Sequence, residues 1–222
     1  MMLKKAFLPL ICILIFYSCK KEVEIVNLHY DYFPIKTGTW VAYNVDSIAH
    51  NDFTLTVDTF NFQVKEIIES QFLDNEGRPT QRIERYYRNN ADSSWTLRNV
   101  WVANRTERDA EKVEDNIRYI KLIFPVVKNA KWNGNSANTL DEVRYEYKNI
   151  HSAYTLNSMN FDSCLVVQHE NELSLFSDKF SEEVYANHIG NIYRKYVNLA
   201  KLSDGSIKSG YDYSYKAFSW GN

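Results

Sequence analysis

Short runs in which apolar and polar side chains alternate recur along most of this chain, and they constrain its fold more than any other feature. In one run, Val143, Tyr145 and Tyr147 alternate with charged residues, which is typical of a strand with one buried and one solvated face. The segments from Phe60 to Phe72 and from Tyr211 to Trp220 show related patterns. Turn signals separate these runs at intervals of roughly 8–15 residues, so we expect hairpins.

The fold class predicted from these runs is mainly β. About ten strands would form an antiparallel sheet, arranged as a half-barrel, a barrel or a sandwich. Alternating strand and helix units are absent from the pattern, which argues against a parallel sheet. The 16 Tyr, 12 Phe and 5 Trp favour strands, and only seven Gly and four Pro are available to interrupt them. The charged segment from Arg105 to Asn116 fits either one short helix or a long loop.

The N-terminal residues have the composition of a secretory signal peptide. Lys4 and Lys5 precede an almost wholly apolar stretch, Ala6 to Tyr17, and the small residue Ser18 comes before Cys19. A cysteine at this position indicates lipoprotein processing, with Cys19 as the lipidated first residue of the mature protein. A plain cleaved signal peptide and a permanent membrane span are the alternatives, although a span needs about 20 apolar residues.

Lipoprotein processing divides the chain into three parts. Residues 1–18 form the signal peptide, residues 19–31 a tether, and residues 32–222 a single β-rich domain. Acyl chains on Cys19 anchor such a domain to a membrane, because two or more chains give stable binding. We therefore expect localisation to the bacterial cell envelope, at the outer membrane, with the periplasmic and surface sides both open.

The charge of the mature chain argues against a nucleic-acid partner. Removal of residues 1–18 takes away two lysines and no acid, which leaves 24 basic and 28 acidic residues and a formal charge of −4. Nucleic-acid-binding domains are usually basic. Of the three cysteines, Cys12 leaves with the signal peptide and Cys19 carries lipid. Cys164 lies in an apolar run and is predicted to be a buried strand residue rather than a reactive thiol.

No recognisable catalytic or metal-binding motif occurs in the sequence. The histidines do not stand at metal-ligand spacing from one another; they are His29, His50, His151, His169 and His188. The carboxylate pairs Asp141–Glu142 and Glu182–Glu183 are predicted to lie on solvated strand edges. They could serve a glycoside hydrolase if carboxylates from different strands converged at about 5–9.5 Å. We therefore predict no catalytic residue, metal ion or cofactor.

The aromatic strand faces leave two interpretations open. Tyr211, Tyr213 and Tyr215 share one face of the last predicted strand, and with the five tryptophans they could line a cavity or a sugar-binding surface. Ordinary core and cross-strand packing accounts for the same pattern and is the interpretation we favour.

Three segments of the chain have a recognisable pattern. Tyr32 to Tyr43 is similar to a YFPLKxGxxWxY motif, Glu183 to Tyr193 to an E-x-YA-x-GxG-x-Y motif, and Phe218 to Asn222 to a DYGN-type ending. Together they resemble a largely uncharacterised family of small Bacteroidota lipoproteins. His188 stands where the family has Gly, so the resemblance gives no catalytic role to His188. The resemblance implies a periplasm-facing or surface lipoprotein with a mostly antiparallel β fold. This analogy concerns the fold and does not extend to a mechanism.

These observations predict a lipid-anchored β domain of the cell envelope that binds a ligand or a protein partner without catalysis. The sequence does not indicate the ligand or the residues that bind it. Two alternatives stay open. One is an envelope glycan hydrolase that gathers carboxylates from several strands, and the other is a structural or assembly lipoprotein that acts through its surface.

Overall fold

The computed structural model describes residues 27–222, which form one continuous antiparallel sheet of twelve strands preceded by a 3-10 turn, Tyr30–Tyr32. The strands are β1 (Trp40–Asn51), β2 (Thr56–Leu73), β3 (Pro79–Arg88), β4 (Thr96–Arg105), β5 (Asp109–Glu114), β6 (Ile117–Ile123), β7 (Lys131–Asn133), β8 (Arg144–Leu156), β9 (Met159–Leu173), β10 (Ser177–Ala186), β11 (Gly190–Lys201) and β12 (Ile207–Gly221). The predicted signal peptide and Cys19 lie outside the described residues. Within residues 27–222, no helix has the length and apolar character needed to cross a membrane.

Strands that are neighbours in the sheet are nearly always neighbours in the sequence. The order is β6-β5-β4-β3-β2-β1-β12-β11-β10-β9-β8-β7. Hairpins therefore supply most connections, as the frequent turn signals predict. The first and last strands pair in the middle, and the edges come from the middle of the chain. Of the three arrangements left open, the sandwich is wrong, because one sheet holds all twelve strands of the described residues.

The two edge strands approach each other and bring the sheet close to a closed barrel. The amide of Ile120 in β6 donates to the carbonyl of Gly134, just after β7, over 2.9 Å. The indole of Trp132 in β7 donates to the Ile120 carbonyl at 2.9 Å. Tyr147 in β8 bonds to both backbone groups of Ile123. Closure protects edge groups from pairing with other chains, and it confirms the predicted barrel-like sheet.

Strands β9 and β10 are buried on both faces. Inside the barrel, Tyr185 packs in a cluster with Leu165, whereas Val184 belongs to a second apolar cluster together with Phe161. Register irregularities bend β8, and the end of the β8–β9 hairpin then covers the outer face of the sheet, where the rings of Phe161 and Trp220 lie 5.2 Å apart. Burial on both faces explains the continuous apolar run in β9.

The two strands beyond the predicted ten are β5 and β7. β7 has three residues, and β5 lies within the segment from Arg105 to Asn116, where we expected a helix or a loop; that expectation is wrong. Charges occupy both faces of β5, since Lys112 and Glu114 face the interior while Glu111 pairs with Arg78 on the opposite face. A strand with charged inner positions shows no apolar alternation, so the sequence gives no strand signal there.

Tyr147→Phe is expected to lower the free energy of unfolding by about 1–3 kcal/mol. The buried Tyr147 hydroxyl accepts from the Ile123 amide at 2.9 Å and donates to the Ile123 carbonyl at 2.8 Å, so its removal leaves two backbone groups without this partner. Urea denaturation measures the difference. The control is Tyr87→Phe, which removes an exposed hydrogen bond to Asn89. Equal losses in the two variants would contradict a role of Tyr147 in closing the barrel.

Candidate functional site

A group of charged side chains, here called the interior ion network, crosses the inside of the barrel. Its three carboxylates and four cations come from six strands: Glu66 of β2, Arg85 of β3, Lys112 and Glu114 of β5, Lys121 of β6, Glu183 of β10 and Arg194 of β11. Strand register places them on the inner face, for example by pairing Glu66 with Arg85. Since these side chains are mostly removed from water, each charge depends on its partners.

Two cations of the network join opposite walls of the barrel. Lys121 lies 2.9 Å from Glu183 and 3.2 Å from Glu114. Arg194 lies 2.7 Å from Glu183 and 2.8 Å from Glu114. Each cation thus has one partner on a neighbouring strand and one on a distant strand: β6 and β10 are eight positions apart in the order of the sheet, and β11 and β5 are six. The ion pairs therefore connect distant parts of the sheet through the interior.

The same cations keep both carboxylates ionised. Burial alone raises the pKa of Glu183 and of Glu114, but Lys121 and Arg194 outweigh burial and hold both pKa values well below the ordinary range. The hydroxyl of Tyr185 donates a further hydrogen bond to Glu183 at 2.5 Å. In return, the carboxylates raise the pKa of Lys121 against the effect of its burial. All four groups are therefore charged at neutral pH.

A second branch of the network lies around Glu66. Lys112 lies 2.7 Å and Arg85 lies 2.9 Å from the Glu66 carboxylate. Both cations also lie over the ring of Trp101, at 4.8 Å and 3.6 Å from its centroid respectively. The electron-rich indole face attracts cations, so Trp101 helps to hold both of them beside Glu66.

The interior ion network carries one positive charge in excess. Within the described part of the chain, its four cations face three carboxylates. His169 lies next to Glu183, but burial lowers its pKa to about 3, so it is neutral at neutral pH. Each cation has a carboxylate within 2.9 Å, but the charges of the seven side chains add up to +1, and a net charge in a low-dielectric interior is costly. The interior therefore favours the approach of an anion.

A cavity of about 80 Å³ lies beside the Glu66 branch. Pro34 and Trp40, which are partly exposed, line it toward the surface, and Ile68 and Ile83 line it within the core. Its polar lining comes from strands on both sides of the barrel and consists of Thr39, Tyr43, Glu66, Gln81, Lys112, Tyr185, Asn191 and Arg194. A cavity that combines apolar walls with convergent polar groups has the character of a small-molecule site.

Gln81 lines this cavity with a side-chain amide that forms no hydrogen bond within the described residues. The residue is 1% exposed, and neither Nε2 nor Oε1 has a hydrogen-bond partner within residues 27–222. Buried amides are nearly always paired, because a lost hydrogen bond costs about 1–3 kcal/mol per buried group. An unpaired amide that lines a cavity therefore indicates a partner that enters the cavity.

The structure gives different outcomes for the cysteine and the carboxylate pairs that the sequence analysis singled out. Cys164 is buried in β9, which confirms the predicted buried strand position, and burial raises its pKa to about 11. Glu183 is fully buried, so the solvated edge predicted for Glu182–Glu183 is wrong for Glu183, which pairs inside the barrel with Arg194. Asp141–Glu142 is exposed, as predicted, but it lies in the loop before β8 rather than on a strand.

Two of the five histidines come together in the structure. The rings of His29 and His151 lie 4.1 Å apart, and Tyr32 bonds to His151 Nδ1 at 2.8 Å. Within residues 27–222, no group of three His, Cys, Asp or Glu side chains is placed to hold a metal ion. On the last strand, Tyr211 is exposed while Ala217 is fully buried, so that aromatic face passes from the surface into the core.

Sequence reasoning missed Gln81 and Lys112, which line the cavity. Both stand in polar surroundings in the sequence, where an inward-facing residue looks like a solvated one. The available signal is the strand period, because Gln81 shares its face with Ile83. The two-residue period places alternate side chains of β3 on opposite faces. It does not show which face is buried near Gln81, where the strand is polar on both faces.

Comparison with known proteins gives two structural likenesses. No family model and no curated protein sequence matches the chain. One similar structure is a Bacteroides fragilis protein described as exported, with a YmcC-like fold. The two sequences are 10% identical, the match covers 86% of this chain and 98% of that chain, and the TM-score is 0.48. The other is a Parabacteroides distasonis protein described as a lipoprotein, at 8% identity, the same coverage and a TM-score of 0.36. At these TM-scores, neither likeness assigns a fold family or a function to this chain.

Glu183→Gln is expected to lower the free energy of unfolding by about 3–5 kcal/mol, because Lys121 and Arg194 lose a charged partner inside the barrel. Glu182→Gln is the matched control. Its carboxylate lies on the opposite face of β10, and burial raises its pKa, so the neutral amide is expected to change stability by less than about 0.5 kcal/mol. Urea denaturation of both variants at pH 7 measures the contrast. Similar losses would contradict the assignment of Glu183 to the network.

Stability is expected to fall as the pH drops below 6.5, with His169 as one source. The unfolded chain protonates His169 near its ordinary pKa of 6.5, whereas the folded chain does so near pH 3, so the unfolded state binds more protons between these values. The stabilisation is complete above pH 6.5, and its loss is about 2 kcal/mol between pH 6.5 and 5. Urea denaturation across this range should show a smaller loss in His169→Gln than in the wild type or His50→Gln. Parallel pH profiles for all three proteins would refute this role.

Proposed function

We propose that the protein is a lipid-anchored binding domain of the bacterial cell envelope, which holds a small ligand in the cavity beside Gln81 and performs no catalysis. The unpaired amide of Gln81 carries this proposal, because it is a buried polar group that needs a partner from outside the chain. The cavity reaches the surface past Pro34 and Trp40, which gives such a partner a route.

The anchor in this proposal is Cys19, with the outer membrane as the location. Its support is the sequence pattern of residues 1–18 followed by Cys19. In the structure, the barrel packing begins at Tyr30, whose hydroxyl donates to the Glu107 carbonyl at 3.1 Å. About ten residues then separate the lipid from the fold, enough for a span of roughly 35 Å when extended.

The electrostatics of the interior support binding over glycan hydrolysis. A glycosidase acid must be protonated before it can donate to the leaving group, so its pKa is raised. Lys121 and Arg194 instead hold the pKa values of Glu114 and Glu183 low. Both carboxylates are also fully engaged by cations, which leaves neither free to act as a base.

Native mass spectrometry tests the proposed function. The sample is the mature chain, residues 19–222 with Cys19→Ser, purified from the periplasm of an expression host. We expect an additional mass that leaves on denaturation. Gln81→Leu should reduce its occupancy at least about tenfold, equivalent to one lost hydrogen bond of about 1.4 kcal/mol.

The control is Gln71→Leu, because Gln71 pairs with Gln81 across β2 and β3 but is exposed. It should retain the additional mass. A bare protein mass in the wild type, with ordered water as the partner of Gln81, would refute the small-molecule proposal.

Exposed apolar side chains at one end of the barrel favour a second candidate function, the docking of a protein partner. The β1–β2, β11–β12 and β9–β10 hairpins are adjacent in the sheet and end on the same side. Their exposed large apolar residues are Phe53, Leu55, Val57, Phe60, Leu173, Leu175, Phe176, Leu202, Ile207 and Tyr211. We call this set the distal apolar surface. Exposed apolar side chains gathered at one end of a fold support an interaction site there.

The charges around the distal apolar surface point to a protein with a basic rim. Residues 51–60, 171–179 and 201–212 contain six acidic and three basic residues. A net negative charge disfavours an anionic membrane and favours a partner that presents an apolar patch surrounded by Lys and Arg.

Site-specific photo-crosslinking in the intact envelope tests the distal apolar surface. A crosslinker at Leu175 should yield one defined protein adduct, which weakens in Phe53→Ser and at high salt. A crosslinker at Thr37, exposed at the opposite end of the barrel, is the control. Adducts with lipid alone, or equal adducts at both positions, would overturn the proposed partner.

A further inference from the structure

The register of three strands creates a gap between an amide and an ammonium group. Gln81 of β3 pairs with Ala103 of β4, and Ala103 pairs with Lys112 of β5. The three residues form one row on the inner face, with the outer two Cα atoms about 10 Å apart. Because alanine has a single methyl group, the space above Ala103 stays open between the two longer side chains. All three residues line the cavity.

The two long side chains of this row offer unused hydrogen-bond donors. The Gln81 amide has two N–H donors and one carbonyl acceptor, and neither Nε2 nor Oε1 has a partner within residues 27–222. The Lys112 ammonium has three donors, and its close partner in the described chain is Glu66, at 2.7 Å. A group that accepts from both side chains at once fits the space above Ala103.

The net charge around the row identifies the kind of acceptor. The interior ion network holds four cations and three carboxylates within the described residues, and Lys112 and Arg194 of that network line the cavity together with Glu66. A fourth carboxylate brings the network to neutrality. A neutral acceptor leaves the excess positive charge uncompensated in a low-dielectric interior.

The rest of the cavity is apolar and small. Ile68, Ile83 and Phe33 line it beside the row. An apolar cavity of 150 Å³ holds benzene, so the 80 Å³ here accommodates about three or four heavy atoms in full enclosure. That is the size of a carboxylate group and the carbon next to it. The remainder of a longer ligand extends past Pro34 and Trp40 toward solvent.

We propose that the ligand of this cavity carries a carboxylate, which lies over Ala103 and accepts hydrogen bonds from Gln81 Nε2 and Lys112 Nζ. The ligand is thus a short-chain carboxylic acid or the carboxylate end of a longer acyl chain. Its first carbons pack against Ile68 and Ile83. This inference rests on the proposed function and adds the chemical class of the ligand.

Titration with simple carboxylates tests the inference. The probes are acetate, butyrate, hexanoate and octanoate, added to the mature chain (residues 19–222, Cys19→Ser), with the Gln81 side-chain amide signals followed by nuclear magnetic resonance. We expect these signals to shift on saturation. Butyramide, which has nearly the same shape without the charge, should bind at least about tenfold more weakly than butyrate. Equal affinities for butyrate and butyramide would overturn the assignment.

The carbon-chain length of the probe distinguishes a short-chain carboxylic acid from the carboxylate end of a longer acyl chain. Affinity that stops rising at butyrate indicates a short free acid that the cavity encloses. Affinity that rises through hexanoate and octanoate, at up to about 0.8 kcal/mol per additional methylene, indicates the end of a longer acyl chain against the rim. Both results support the carboxylate, whereas binding that is absent for every acid in the series contradicts it.

Two variants test the position of the carboxylate. Gln81→Glu places a carboxylate of the protein itself beside Lys112, so it should abolish butyrate binding without loss of thermal stability. Ala103→Leu fills the gap and should weaken binding at least about tenfold. Ala153→Leu, at an exposed position of β8, is the control and should bind as the wild type does. Unchanged butyrate affinity in folded Gln81→Glu would refute the proposed position.

The outcome for the ligand class is separable from the outcome for the proposed function. If a ligand co-purifies, depends on Gln81 and proves to be neutral, the binding function stands and the carboxylate inference falls. If the wild type carries no ligand and ignores every probe, both fall. Identification of the co-purified mass by fragmentation makes this distinction directly.

Discussion

The ion pairs that cross the barrel are the interaction on which the rest of the structure depends. The sheet has an incompletely paired seam between β6 and β7, where Ile120 and Gly134 form a direct backbone hydrogen bond. Lys121 reaches across the interior to Glu183, and Arg194 reaches across it to Glu114. A buried ion pair contributes little over a well-packed apolar contact, but the loss of one partner is expensive. The network therefore disfavours arrangements of the walls that separate these partners.

The use of charged side chains inside the barrel also explains why an amide without a hydrogen-bond partner is tolerated next to the core. A wall built from charged side chains cannot be packed as tightly as one built from Leu and Ile, since each ion needs partners at fixed distances. Small residues such as Ala103 and Ala110 occur among the long ones on the inner face. Space beside the network is the result, and the polar groups that border this space are already held in place by their ion pairs. A cavity of this kind is preorganised for a ligand.

The sequence predicts the strands well where one face is apolar and poorly where the inner face is charged. The alternation around Tyr145 and Tyr147 identifies β8, and the Asx and Gly turn at residues 74–77 lies between β2 and β3. β5 and Glu183 were missed for one reason: a charged residue normally indicates solvent exposure, and the contacts that bury these charges include partners far away in the sequence, such as Lys121 for Glu183 and Glu66 for Lys112. Periodicity shows that Glu182 and Glu183 face opposite sides but does not indicate which side is inside. Gln81 could not be identified, because an unpaired amide is visible only when its surroundings are known.

Two of the segments that resemble the lipoprotein family meet at the cavity. Pro34, Thr39 and Trp40 from the first segment and Gly190 from the second line it together. Gly190 has a φ of +94°, and a Cβ atom on it would lie 3.2 Å from Cδ of Pro34. A side chain at this position would strain the backbone and narrow the approach to Gln81 from that side. Gly190 thus has two roles, since it permits the positive φ at the start of β11 and keeps the approach to the cavity open. Both roles follow from the absence of a side chain.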